Sequence, residues 1–412
     1  MSASGKRVVV TGFGGLTALG HDWPTIERAL HGNVSGIERI AEWDRYPELN
    51  TRLGGPVAPF ELPAHYTRKV TRTMGRVAML AVRATELALR DAGLEDDPVV
   101  TSGAMGVANG SCTGSPDAVQ EFSSMLHSGD VGGINATTYL RMMPHTSAAN
   151  IGLYFGMKGR IIPACSACTS GSQSIGYAYE AIRFGRATLM AAGGSEELCA
   201  SEAAVFDTLF ATSTRNDTPT QTPSPFDRDR DGLVIGEGAC TLILEELEHA
   251  QARGATIYAE IMGFACNSDG DHPTHPNTQT MEVAMRMALE DAHLPPDAIG
   301  YVNAHATSTE QGDIAESQAT RRLFGRAIPV SSAKGHLGHT LGACGAIESW
   351  FAIQMMRGGW FMPTLNLRNV DERCGDLDYI TGNGRDLDCE YIMKNNFAFG
   401  GINTSLIYKR WS

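Results

Sequence analysis

Ile161-Ile162-Pro163-Ala164-Cys165-Ser166-Ala167-Cys168-Thr169-Ser170-Gly171-Ser172-Gln173-Ser174-Ile175-Gly176 is the stretch on which the fold turns. Its apolar start suits the end of a strand. Its small residues run into Tyr177-Ala178-Tyr179-Glu180-Ala181-Ile182-Arg183, which reads as a helix. Cys168 therefore lies at a strand-to-helix turn, in or near the first turn of the helix. Unpaired N–H groups and the positive end of the helix dipole meet there. That setting predicts a lowered thiol pKa and thiolate near neutral pH. Ala167, Ser170 and Gly171 are small enough to let backbone or substrate come close. A buried structural cysteine is the plain alternative. The Cys165-x-x-Cys168 spacing also suits a redox pair, but such sites place the reactive cysteine first, at the helix start, and here the second one sits at the turn. A nucleophilic cysteine needs a histidine from elsewhere in the chain.

Outward from this turn, the bulk numbers set the frame. A length of 412 residues suggests two or three domains. With 42% hydrophobic and 19% charged residues, the chain has the make-up of a folded protein with a large core. Nine cysteines, an odd number in no regular framework, argue against a disulfide scaffold. Met1 to Gly20 lacks the features of a signal peptide, and no apolar run is long enough to span a membrane. A reducing cytoplasm is the expected compartment. A net charge of −13 argues against general nucleic-acid binding, so an acidic partner would need a local basic patch. The best patch is Arg68-Lys69-Val70-Thr71-Arg72-Thr73-Met74-Gly75-Arg76, which could equally be a solvated helix face.

Lys6-Arg7-Val8-Val9-Val10-Thr11-Gly12-Phe13-Gly14-Gly15 reads as a buried strand and a tight turn. Gly12-Phe13-Gly14 matches only half of a dinucleotide fingerprint, and no strand with a terminal acid follows at the right distance. Arg76 to Ala92 has a helical period closed by Gly93, 105–108 reads as a strand, and Gly103 to Gly114 around it reads as a glycine- and serine-studded loop. The pattern then returns. Leu289-Glu290-Asp291-Ala292-His293-Leu294 echoes Leu89-Arg90-Asp91-Ala92-Gly93-Leu94, and Gly342 to Met356 echoes the helix after Cys168. Two similar αβ halves are expected, 1–250 and 251–412, with their loops around one cleft.

The second half supplies histidines. Tyr301-Val302-Asn303 is strand-like and leads to His305-Ala306-Thr307-Ser308-Thr309. Pro329-Val330-Ser331-Ser332 leads to Lys334-Gly335-His336-Leu337-Gly338-His339-Thr340-Leu341-Gly342-Ala343. Asn396-Phe397-Ala398-Phe399-Gly400-Gly401-Ile402-Asn403 is a glycine turn flanked by aromatics. His336 and His339, with His272 or His275, also admit a metal pair, although zinc sites usually show tighter patterning.

Together these four segments, in this order, resemble the elongating β-ketoacyl-acyl-carrier-protein synthases, condensing enzymes of the thiolase-like superfamily. The resemblance spans Lys6 to about Tyr408. It implies an α/β fold of five layers, α-β-α-β-α, built from two similar halves and normally homodimeric. It implies that Cys168 takes an acyl chain from an acyl carrier protein. His305 and His339 would then hydrogen-bond the malonyl thioester oxygen as the malonyl carrier protein loses CO2. Lys334 matches the lysine that orders the site, with Asp313 or Glu316 as its expected ion-pair partner. The backbone N–H groups of Cys168 and Phe399 would form the oxyanion hole, and Phe399 matches the gating aromatic. Thr307 and Thr309 match residues on the pantetheine arm, and Thr113 and Phe206 match acyl-pocket positions. Arg68, Lys69, Arg72, Arg76 and Arg215 match the carrier-docking positions. No metal, nucleotide or flavin is implied.

Some residues depart from that pattern. Ala306 stands where the family usually has glycine, at a cost of roughly 1 kcal/mol if φ there is positive. Thr113 replaces a common aliphatic residue, which hints at an unusual acyl group. Three other readings stay open: a non-catalytic partner subunit of the chain-length-factor type, although such partners typically lack the cysteine; a degradative thiolase, although Cys344 is not in the frame of that family's second cysteine; and a redox protein. The resemblance covers synthases of housekeeping fatty acids and side-branch synthases of polyene or polyketide chains alike.

Overall fold

The structure, a computed structural model, describes residues 5–412. The strands of its large sheet, in chain order, begin with β1 (Val8–Leu16), β2 (Met105–Gly110), β3 (Ile161–Ala164), β4 (Leu189–Glu196) and β5 (Gly238–Glu246). They continue with β6 (Ala259–Ser268), β7 (Ile299–Asn303), β8 (Pro329–Ser331), β9 (Asp378–Tyr379), β10 (Tyr391–Ala398) and β11 (Ile402–Arg410). All eleven join in the order β9-β8-β7-β10-β11-β6-β1-β5-β4-β2-β3. The first five strands thus lie on one side and the last six on the other. They meet in one short antiparallel pairing, Val8 to Val10 of β1 against Ile261 to Ala259 of β6.

Seven helices complete the scaffold of the site: α1 (Arg76–Asp91), α2 (Thr146–Phe155), α3 (Ser170–Arg183), α4 (Thr278–Ala292), α5 (Glu310–Phe324), α6 (Lys334–Leu337) and α7 (Cys344–Gly358). α1 and α2 pack outside the first set of strands; α4 packs outside the second, with α5 beside it. α3 and α7 touch each other and strands of both sets, so they form the middle of five layers. Their sequences account for that place. α7 is buried around almost its whole circumference, which suits its mainly apolar run through Ile347, Trp350, Phe351, Ile353, Met355 and Met356. α3 carries Ser170, Gly171, Ser172, Ser174 and Gly176 on buried positions. A side chain on Gly171 would stand 2.8 Å from the carbonyl of Gly342, just before α7.

The repeat read from the sequence is physical. Asp91, at the end of α1, accepts the Phe13 N–H of β1 at 2.9 Å, and Asp291, near the end of α4, accepts the Phe264 N–H of β6 at 3.0 Å. The glycines just before those phenylalanines, Gly12 and Gly263, let each strand lie against its helix near Ala92 and Ala292. One expectation needs correcting. The loop expected over Gly103 to Gly114 is strand for half its length, because β2 continues through Asn109 and Gly110 in register with Pro163 and Ala164 of β3. Gly110 is required there: a Cβ would lie 2.6 Å from the Cβ of Ser170. Pro163 is tolerated because β3 is an edge strand.

Candidate active site

Cys168 sits between β3 and α3 and is 4% exposed. The turn that presents it is tightly held. Ala167 adopts a left-handed φ of 49°, the Ser166 N–H donates to Ser170 Oγ at 2.9 Å, and that hydroxyl donates to the Ala167 carbonyl at 2.7 Å. His305 follows β7 and His339 follows α6, both from the far half of the chain. His339 Nε2 lies 2.9 Å from Cys168 Sγ. One atom from each of Cys168, His305 and His339 falls within 4.8 Å of the others, and the two imidazole rings stand nearly perpendicular.

The thiol is not held as an anion. Burial pushes Cys168 up to about 11, although the backbone N–H groups of Phe399 and Cys168 and the charge of Lys334 pull the other way. The expectation of a ready thiolate is corrected: removing the sulfur from water outweighs the donors at the start of α3. The proton therefore needs an acceptor, and His339 is in place. Burial first, then the charges of Lys334 and Lys394, hold His339 well below the usual imidazole range, and the same groups together with His339 act on His305. Both rings are neutral at pH 7.

Lys334 is 1% exposed and donates to the His305 carbonyl at 2.9 Å. Its ion-pair partner is Glu348 of α7, not Asp313 or Glu316. Those two acids instead hold backbone. Glu316 accepts the N–H groups of His305 and Ala306 at 2.8 and 2.7 Å; Asp313 accepts those of Phe226 and Ser308 at 2.7 and 3.1 Å. Ala306 lies outside the left-handed region, so alanine carries no strain there. A second buried lysine, Lys394 of β10, pairs with the other Glu348 oxygen at 2.7 Å. Sequence reasoning missed Glu348 and Lys394. The signal was a carboxylate inside the apolar run Ala346-Ile347-Glu348-Ser349-Trp350 and a lysine in a buried strand, since such charges are almost never buried unpaired.

The three residues open onto a cavity of about 460 Å³ that is also lined by Thr307, Thr309, Phe206 and Phe399. Thr307 and Thr309 share a hydroxyl contact at 3.1 Å, and Phe206 and Phe399 meet edge to face at 6.0 Å. Thr113 is outside this lining: its hydroxyl donates to the buried Glu202 at 2.9 Å. His336 is bound elsewhere, with Nδ1 2.8 Å from the Val34 carbonyl. Cys165 is exposed and faces the Cys112 carbonyl, while Cys344 is buried with its sulfur 3.2 Å from the Cys168 carbonyl. The converging atoms of Cys168, His305 and His339 also have the spacing of a metal set, as do those of His305, Cys344 and Glu348. Two buried ammonium groups beside them oppose a further cation.

Arg68, Lys69 and Arg72 are exposed on or beside the short helix Arg68–Thr71. Two other expected docking residues are already engaged. Arg76 pairs with the buried Glu237, and Arg215 lies 3.4 Å from Asp231.

Residues 5–250 match the family described as Beta-ketoacyl synthase, N-terminal domain, and residues 258–368 match Beta-ketoacyl synthase, C-terminal domain. The chain is 37% identical to 3-oxoacyl-[acyl-carrier-protein] synthase 2 of Vibrio cholerae, over 99% of this chain and 100% of that one. A crystal structure of a beta-ketoacyl synthase from Burkholderia phymatum STM815 superposes with a TM-score of 0.98 at 58% identity, covering 99% of this chain and 100% of that one. A type II polyketide ketosynthase, AntDE, solved with its acyl-carrier protein AntF, superposes with a TM-score of 0.88 at 30% identity, again covering 99% and 100%.

Proposed function

The chain belongs to the β-ketoacyl synthase family, and from that premise we propose a 3-oxoacyl-acyl-carrier-protein synthase whose nucleophile is Cys168. The observation that carries the assignment is the 2.9 Å approach of His339 Nε2 to the Cys168 sulfur at the foot of the cavity, with His305 beside them. In the first half-reaction His339 accepts the thiol proton as sulfur attacks the acyl thioester. The tetrahedral oxyanion sits against the N–H groups of Cys168 and Phe399, the two backbone donors that face the sulfur. The bond to pantetheine breaks, and its thiolate takes the proton from His339. In the second, malonyl carrier protein loses CO2, and the electron pair of that C–C bond passes into an enolate held by the imidazole N–H groups. The enolate carbon attacks the acyl-cysteine, a C–C bond forms, the C–S bond breaks, and the Cys168 thiolate takes a proton from solvent.

Thr307 and Thr309 guide the pantetheine arm, Phe206 and Phe399 border the acyl chain, and Lys334 fixes the His305 backbone. Arg68, Lys69 and Arg72 dock the acidic carrier. The chain divides near residue 250 into the half with the nucleophile and the half with the histidines. It acts as a homodimer in the cytoplasm: β3 leaves one edge unpaired, with Ile161 exposed beside it, and a second copy would cover both. The presence of Cys168 with its histidine speaks against a non-catalytic partner subunit. The pairing of Cys168 with His339 and not with Cys165 speaks against redox chemistry.

The test is incubation with malonyl carrier protein and a panel of acyl carrier proteins, read by product mass. Two-carbon extension with CO2 release by the native chain, lost in Cys168→Ala, is the expected result. Condensation that survives in Cys168→Ala removes the cysteine from this role.

A further inference from the structure

The two histidines are held differently. His339 Nδ1 is buried and has no partner among the described residues, so its ring is free to carry its proton on either nitrogen. Its Nε2 can accept from the thiol at one step and donate at another. His305 has no such freedom. Its Nδ1 is 3.0 Å from the Asn396 amide nitrogen.

The direction of that contact follows from the charges around Asn396. Its Oδ1 receives the Lys394 ammonium at 2.8 Å, while its Nδ2 faces Glu348 Oε2 at 3.3 Å. Turning the amide over would set oxygen against carboxylate and N–H against ammonium, two repulsive contacts among fully buried side chains. Asn396 therefore donates, His305 Nδ1 accepts, and the ring proton resides on Nε2, the nitrogen left for a ligand in the cavity. Strand geometry makes this possible. Lys394 and Asn396 are two residues apart on β10 and point to one face, toward α7, whereas Asn395 between them points away and meets Met285 of α4 at 3.2 Å.

We propose that Asn396, itself oriented by Lys394, is a positioning residue that locks His305 as a permanent Nε2–H donor to the malonyl thioester oxygen. This rests on the condensing reaction proposed above and assigns its two imidazoles unequal tasks: His339 moves a proton, His305 keeps one. It predicts that Asn396 matters for the malonyl half-reaction and not for acylation, where His305 needs no fixed proton.

Asn396→Asp keeps the shape but turns the donor into an acceptor, and Asn396→Leu removes both roles. Each is assayed for Cys168 acylation by intact mass and for CO2 release from malonyl carrier protein. The expected result is acylation within about threefold of native, with kcat for decarboxylation down about 100-fold or more and KM within about twofold. Decarboxylation within about threefold of native in both variants, or equal loss in both half-reactions, overturns the proposal. A native chain that fails to be acylated sinks the parent reading instead. Should a variant fold poorly, ¹⁵N-histidine spectra of the native protein decide: His305 protonated on Nε2 is expected, and protonation on Nδ1 overturns it.

Discussion

Glu348→Gln is the sharpest test of the charge arrangement beneath the site. In the native chain the Glu348 carboxylate lies between the ammonium groups of Lys334 and Lys394, one bound to each oxygen, and all three side chains are buried. The cluster carries one net positive charge. The substitution leaves two ammonium groups facing each other across a neutral amide. With roughly 5 Å between them and an effective dielectric of about 20, their repulsion alone is about 3 kcal/mol. Breaking a buried pair by removing one partner costs about 3–5 kcal/mol on general grounds, which agrees. For a chain of this size that is a fall in Tm of about 5 °C. Calorimetry at fixed protein concentration measures it. The double variant Glu348→Gln/Lys394→Met restores a single cation and should melt above Glu348→Gln alone, although it carries one more substitution. If Glu348→Gln melts within about 1 °C of native, or the double variant melts lower than the single, the three side chains do not form one electrostatic unit.

Four further outcomes follow from the same arrangement. Because burial lifts the folded Cys168 thiol to about 11 and only the anion is alkylated, iodoacetamide labelling of its peptide should rise about tenfold per pH unit from pH 7 to 10. A plateau below pH 9 would restore the thiolate expected from the helix start. His339→Ala should slow Cys168 acylation about 10²- to 10⁴-fold, and a loss under tenfold would remove His339 as the proton acceptor. Charge reversal at Arg68, Lys69 and Arg72 should raise KM for acyl carrier protein at unchanged kcat, with the gap closing as salt is added. Arg76→Glu should instead lower Tm, because that side chain holds the buried Glu237.

What the sequence settled by itself was local or periodic. Ala164 to Ser170 has the small residues of a strand-to-helix turn, and that turn carries Cys168. The echo between Leu89 to Leu94 and Leu289 to Leu294 marked two like halves, because each aspartate does the same task for its own strand. What the tertiary structure alone decided were matters of distance and burial. Lys334 finds Glu348, 14 residues away on α7 in the middle layer, and not the acids that lie nearer the His305 loop in the chain. Arg76 and Arg215, read as free surface charge, are occupied by acids that only folding brings near. The Cys168 thiol keeps its proton because two halves of the chain close over it, and no local pattern records how much water that closure expels. Helix starts and strand alternation are set by neighbours within a few residues, whereas a pKa or an ion pair is set by whatever the packed layers bring within a few ångströms.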